Sequence, residues 1–131
     1  MAKTSRKILT LVFLASVSFC KMPQRDPFTE EEKLRPFVIK EIARDASSSR
    51  HLVLMNGAEQ PHYHDRHNLV VTLKSGNNRL HLGERVIDML PGQPVEIPKG
   101  ALHWAENAGP GFSLVEAVFT PPFDGKDRRF H

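Results

Sequence analysis

Cysteine is nearly absent: Cys20 is the only one in 131 residues, so no internal disulfide can staple the fold. Long apolar runs are missing too. The most apolar stretch, residues 8–19, falls short of the roughly 20 residues that a bilayer-spanning helix requires. Large aromatic anchors are few, with one tryptophan and one tyrosine. Basic charge is not concentrated anywhere: Lys3, Arg6 and Lys7 alone account for the formal net charge of +3, and the rest of the chain is formally neutral. Without a basic track for a phosphate backbone, nucleic acid is set aside as a partner. The composition, 40% hydrophobic and 25% charged, fits one ordinary globular domain with a core and little room for a second.

What is present begins with the layout of an export signal. Lys3, Arg6 and Lys7 form a basic head, residues 8–19 an apolar stretch, and Ser16 and Ser18 are small residues suited to signal-peptidase cleavage. Residues 1–19 are therefore read as a signal peptide, and the protein as exported, to the cell envelope or the medium. A lone thiol is a liability in an oxidising compartment, and lipid attachment would remove it. Val17-Ser18-Phe19-Cys20 resembles the lipobox of bacterial lipoproteins, in which the cysteine becomes the acylated N-terminus. Phe19 departs from that pattern, because the preceding residue is normally small. A lipid anchor on Cys20 and a freely secreted chain both stay open.

Residues 20–36 read as a tether followed by a short helix. Pro23 and Pro27 keep residues 21–28 extended, then Thr29 and Glu32 form a capping box for a helix that Pro36 stops. From Phe37 onward, short apolar runs alternate with turn residues, which favours strands. Expected strands cover 37–42, 51–56, 68–73, 79–82, 85–89, 95–97, 103–106 and 113–120. Eight short strands in about 95 residues give an all-β domain over 37–131, a double-sheet jelly roll.

Three histidines stand out within this domain. His62 and His64 follow the turn segment Gly57-Ala58-Glu59-Gln60-Pro61, and His103 lies inside the glycine- and proline-marked segment 92–107. Alternate side chains of an extended strand share a face about 6–7 Å apart, so His62 and His64 can both point inward. His103, from another strand, would complete a face of three nitrogen ligands for a divalent metal ion.

The spacing around His103 is Gly92, five residues, Pro98, one, Gly100, two, His103, three, Asn107. It resembles the second conserved motif of the cupin superfamily at every position. Gly57, His62 and His64 resemble the first motif, with one residue fewer between the glycine and the first histidine. The resemblance implies a small single-domain cupin, a double-stranded β-helix or jelly-roll barrel with metal on His62, His64 and His103. The family's fourth ligand is a glutamate separated from the second histidine by three or four residues, where this chain has Asn68 and Leu69. Asn68 is read as a weak neutral oxygen ligand or a hydrogen-bonding partner of the site, with His67 as the rival fourth ligand. Without the carboxylate a divalent charge is left uncompensated, so the site would attract an anionic ligand. The three-histidine set resembles that of thiol dioxygenases within the superfamily. Fe2+ and Zn2+ are favoured, and Mn2+, Ni2+ and Cu2+ also accept imidazole.

Other residues carry weaker signals. Glu116 is a candidate acid or base if it faces inward on strand 113–120, and otherwise a solvated glutamate. His81, between Leu80 and Leu82, is expected to face water, and Trp104 to cap the barrel mouth or pack beside His103. The tail from Phe119 to Arg129 looks like the strand exit of small cupins and is expected to cover a sheet edge or contribute to a homodimer. Two functions fit these residues. One is a metal-dependent protein acting on or binding a small polar or anionic molecule; the other is a non-catalytic ligand- or metal-binding module of the envelope.

Overall fold

The computed structural model describes residues 25–131. The expected signal peptide over 1–19 and the Cys20 lipid site lie outside the described residues. Ten strands succeed one another: β1 (Phe37–Arg44), β2 (Ser49–Met55), β3 (His62–Tyr63), β4 (Asn68–Ser75), β5 (Asn78–Leu82), β6 (Arg85–Asp88), β7 (Pro94–Ile97), β8 (His103–Asn107), β9 (Ser113–Thr120) and β10 (Arg129–Phe130). They build two antiparallel five-stranded sheets, in the orders β1-β2-β9-β4-β7 and β10-β3-β8-β5-β6. Among the described residues no helix is long and apolar enough to cross a membrane.

Period-two alternation decides what each strand buries. Leu69, Val71 and Leu73 of β4, Leu80 and Leu82 of β5, and Val115, Ala117 and Phe119 of β9 all turn into one core between the sheets. The intervening residues Asn68, Val70, Arg79, His81, Leu114 and Glu116 are exposed or half-buried on the outer faces. Turn chemistry holds the strands in register. Gly76, between β4 and β5, sits at φ +79°, and a Cβ there would lie 2.7 Å from the Phe112 carbonyl oxygen. Asn78, two residues on, is buried and donates to Ser113 Oγ at 2.9 Å, tying the same turn to β9.

The N-terminal helix expected from the capping box is corrected to a single 3-10 turn, Glu32–Leu34. The reciprocal cap does form, with Thr29 N donating to Glu32 Oε2 at 2.9 Å and Glu32 N to Thr29 Oγ1 at 3.1 Å. Growth stops because Arg35, forced away from helical ψ by Pro36, is already extended at ψ 154°. One turn fixes its backbone for too few hydrogen bonds to become an α-helix.

Strand β10, two residues long, was not expected, and the extended segment that was to carry His62 and His64 forms a strand only over His62–Tyr63. The tail after β9 folds back under the barrel, where Phe123 packs on Phe119 with ring centroids 4.6 Å apart. Arg129 and Phe130 then pair with Tyr63 and His62, so the tail covers the free edge of β3 as a fifth strand.

Candidate metal centre

His62 opens β3 and His103 opens β8, and the two are direct cross-strand partners. Their side chains therefore leave the sheet on the same face, into the barrel. His64 lies just past β3, and its carbonyl accepts from Gly100 N at 2.8 Å. The second segment's glycine thus grips the first segment's histidine. All three rings are buried, with centroids 4.4 Å (His62 to His103), 4.8 Å (His62 to His64) and 5.1 Å (His64 to His103) apart.

Hydrogen bonds fix which nitrogen each ring presents. His62 Nδ1 donates to the Gln60 carbonyl at 2.7 Å, His103 Nδ1 to the Ala101 carbonyl at 3.0 Å, and His64 Nδ1 to the Asp127 carbonyl. A neutral ring that donates from Nδ1 carries its lone pair on Nε2. Three Nε2 lone pairs consequently face one another. His62 Nε2 and His64 Nε2 are 3.2 Å apart, and His103 Nε2 is buried without a partner. Burial holds His64 and His103 down to about 4, despite the opposing pull of the carbonyls that their Nδ1 atoms contact. Adjacent lone pairs repel unless a cation sits among them, and the ligand atoms of these three residues all lie within 4.8 Å of one another. The donor set fits a metal ion, with Nδ1 held by backbone as ligating histidines require.

The other expected site residues lie elsewhere. Asn68 is exposed on the outer face of β4, where its Oδ1 accepts from Lys99 N at 2.9 Å. Leu69 holds the inward position instead, on the cavity wall. His67 is buried, yet it is no rival ligand: Nδ1 contacts Asp127 Oδ2 at 2.6 Å and Nε2 the Pro122 carbonyl at 3.1 Å. Glu116 faces outward between Arg50 and Lys74, with an oxygen 3.9 Å from each, because Val115, Ala117 and Phe119 take the inner face of β9. His81 also faces outward, and Trp104 is stacked on it at 4.2 Å rather than at the barrel mouth.

Three further residues shape the site without a strong sequence signal. Glu59 is the only carboxylate lining the cavity among the described residues, and its Oε2 accepts from Ala105 N at 3.0 Å. Arg128, from the tail, lines the same cavity. Asp127 is buried, and its carboxylate accepts from Asp65 N at 2.9 Å and Arg66 N at 2.7 Å, besides contacting His67. It clamps the loop between His64 and β4. Burial alone would raise the Asp127 carboxyl, but His67 and the two amides outweigh it and leave it below the ordinary carboxylate value. Glu59 has a faint signal, its position between Gly57 and His62. Asp127-Arg128-Arg129 reads as an ordinary solvated charge cluster.

Beyond the three imidazoles, Glu59 and Arg128, the cavity wall is apolar, from Ile39, Val53, Met55 and Leu69 to Phe119. Such a site can hold an ion on one side and exclude bulk water on the others.

No protein-family model matches the chain. A curated protein of Aquifex aeolicus, described only as uncharacterized, is 38% identical over 79 residues, spanning 60% of this chain and 64% of that protein. The chain thus matches just under two thirds of that relative's length. Among solved structures, KdgF from Halomonas sp. is similar at a TM-score of 0.64 and 25% identity, over 69% of this chain and 83% of that one. The Cnp3 cupin domain of Schizosaccharomyces pombe is similar at a TM-score of 0.61, over 66% of each chain, and its 10% identity makes this a likeness of fold alone.

Proposed function

This chain is a cupin by fold, and we propose that it is an exported metal-binding cupin that acts on or binds a small polar or anionic molecule at His62, His64 and His103. The observation that carries the reading is the convergence of three buried Nε2 atoms whose Nδ1 partners are all backbone carbonyls. Zn2+ and Fe2+ suit three neutral imidazoles best, and either would supply Lewis-acid polarisation of a bound oxygen, Fe2+ redox chemistry as well. The chain's own part is to orient the rings, keep water out with the Leu69 and Phe119 side of the wall, and offer Glu59 as the carboxylate available to hold or move a proton. Export rests on the order of charge and hydropathy in residues 1–19, with Cys20 as the lipid-attachment point.

Elemental analysis of native protein, purified without chelators or a histidine tag, tests the metal reading. About one Zn or Fe per chain is expected, lost in His62→Ala and His103→Ala. A folded wild-type protein that takes up neither ion would reject it.

A non-catalytic binding role is the second reading, favoured by the leucine at the position of the family's fourth ligand and by a single carboxylate in the cavity among the described residues. Saturable binding without product formation would select it. Pairing of two copies through β1, an exposed edge strand, is proposed as well, and sedimentation as a monomer at tens of micromolar would refute that.

A further inference from the structure

Two hollows meet at the metal centre. The inner one is the cavity already described, and the outer one is lined by Phe37, Glu59, Gln60, His62, Arg128 and Phe130. Glu59, His62 and Arg128 belong to both walls, so they form the neck between solvent and the imidazole cluster. Anything reaching the three Nε2 atoms by this route passes Arg128.

Arg128 differs from the arginines around it. Arg129 is held by Asp65 at 2.9 and 3.0 Å and Arg66 by Asp124 at 2.6 Å. Arg128 forms no ion pair among the described residues, and its Nε is buried without an acceptor. A buried N–H with nothing to donate to favours a ligand that supplies the acceptor. The guanidinium fork matches a carboxylate, which can take two parallel N–H bonds.

Charge and size narrow the ligand further. A divalent ion on neutral imidazoles, together with Arg128, faces Glu59 alone among the described residues, so the cavity selects an anion. The inner cavity offers about 50 Å³ to the centres of water-sized atoms, against roughly 10–15 Å³ for one water. That admits a few heavy atoms, and longer molecules must extend into the outer hollow.

We propose that Arg128 is the specificity-determining residue of this site, anchoring at the neck the carboxylate of a small monocarboxylic acid whose other end reaches the three imidazoles. The inference deepens the metal-cupin reading and rests on it only for what the other end meets.

The test follows the Arg128 Nε–H resonance by NMR, assigned from its loss in Arg128→Lys, during titration with acetate and with the neutral isostere acetamide. Both Zn2+-loaded and chelator-treated protein are used. Acetate is expected to shift this resonance saturably and to bind at least tenfold more tightly than acetamide, and hexanoate to bind more weakly than acetate. Arg128→Gln should lose tenfold or more in acetate affinity at unchanged Zn2+ stoichiometry, with Arg128→Lys in between. Protein that takes up no Zn2+ yet shows the acetate shift would sink the metal reading and leave this one standing. Normal Zn2+ uptake with no acetate shift in either form, or acetate binding by Arg128→Gln at wild-type strength, overturns the assignment of Arg128. Should Arg128→Gln fail to fold, the wild-type resonance and Arg128→Lys still decide.

Discussion

Replacing Asp127 by alanine separates the tail from the loop that carries His64. The carboxylate takes the amides of Asp65 and Arg66 and faces the His67 ring, at 2.6–2.9 Å. Hydrogen bonds to an ionised acceptor contribute about 1.5–3 kcal/mol each. Asp65 and Arg66 are exposed enough for water to replace part of the loss. The sum is therefore well below three full bonds, and Asp127→Ala is expected to cost about 3–4 kcal/mol. The effect must also reach the metal. His64 Nδ1 donates to the Asp127 carbonyl, so a slackened tail frees that ring, and loss of such an orienting partner lowers metal affinity about 10–100-fold. Urea denaturation and Zn2+ titration of the refolded protein measure the two effects. Asp127→Asn should be milder, since its amide can donate to a His67 ring that switches tautomer. Because the carboxyl is held below its ordinary value of 3.8, this stabilisation is present above that pH and fades as pH falls through the folded value. A variant Asp127→Ala within about 1 kcal/mol of wild type and with undiminished Zn2+ affinity would refute the clamp.

Other outcomes rest on the same geometry. His64 and His103 are held near 4 against 6.5 when unfolded, so the folded chain binds fewer protons between those values and metal-free stability drops as pH falls from 6.5 to 4. At about 1.4 kcal/mol per unit the ceiling is about 3 kcal/mol per ring, and His103→Asn should flatten the profile; an unchanged slope in that variant contradicts it. Calorimetry in two buffers of different ionisation enthalpy should find no proton released by these two rings on Zn2+ binding at pH 7. Gly76→Ala, strained at φ +79° and facing backbone at 2.7 Å, should cost about 2–4 kcal/mol in denaturant unfolding. Gly92→Ala has the same φ and open space, so about 1 kcal/mol is expected, and equal costs would remove the steric contribution assigned to Gly76. Intact-mass analysis of the envelope fraction should find a chain beginning at acylated Cys20, and any other mature start rejects the anchor.

Strand 113–120 was legible to the residue, because Leu114 through Phe119 form an apolar run that alternates around Glu116 and ends at Pro121. The same alternation left open which face turns inward; only pairing with β2 and β4 puts Val115, Ala117 and Phe119 on the core side and sends Glu116 out. The three converging histidines were legible because their glycine and proline spacing encodes the bends that aim them. Asn68 misled because counting residues after His64 says nothing of how the loop 64–67 turns. That loop is shaped by Asp127, sixty-odd positions away. Arg128 was invisible for the same reason: a charged tail gives no periodic signal, and its meaning comes from pairing with β3.

The backbone oxygen that orients His64 belongs to a residue 63 positions further along the chain. On the ribosome, then, the three rings are synthesised well before the last of them can be aimed. Capture of an ion by them would then be a late event, completed when residues 127–130 dock, and a product truncated ahead of them would carry all three imidazoles with an affinity about 10–100-fold weaker.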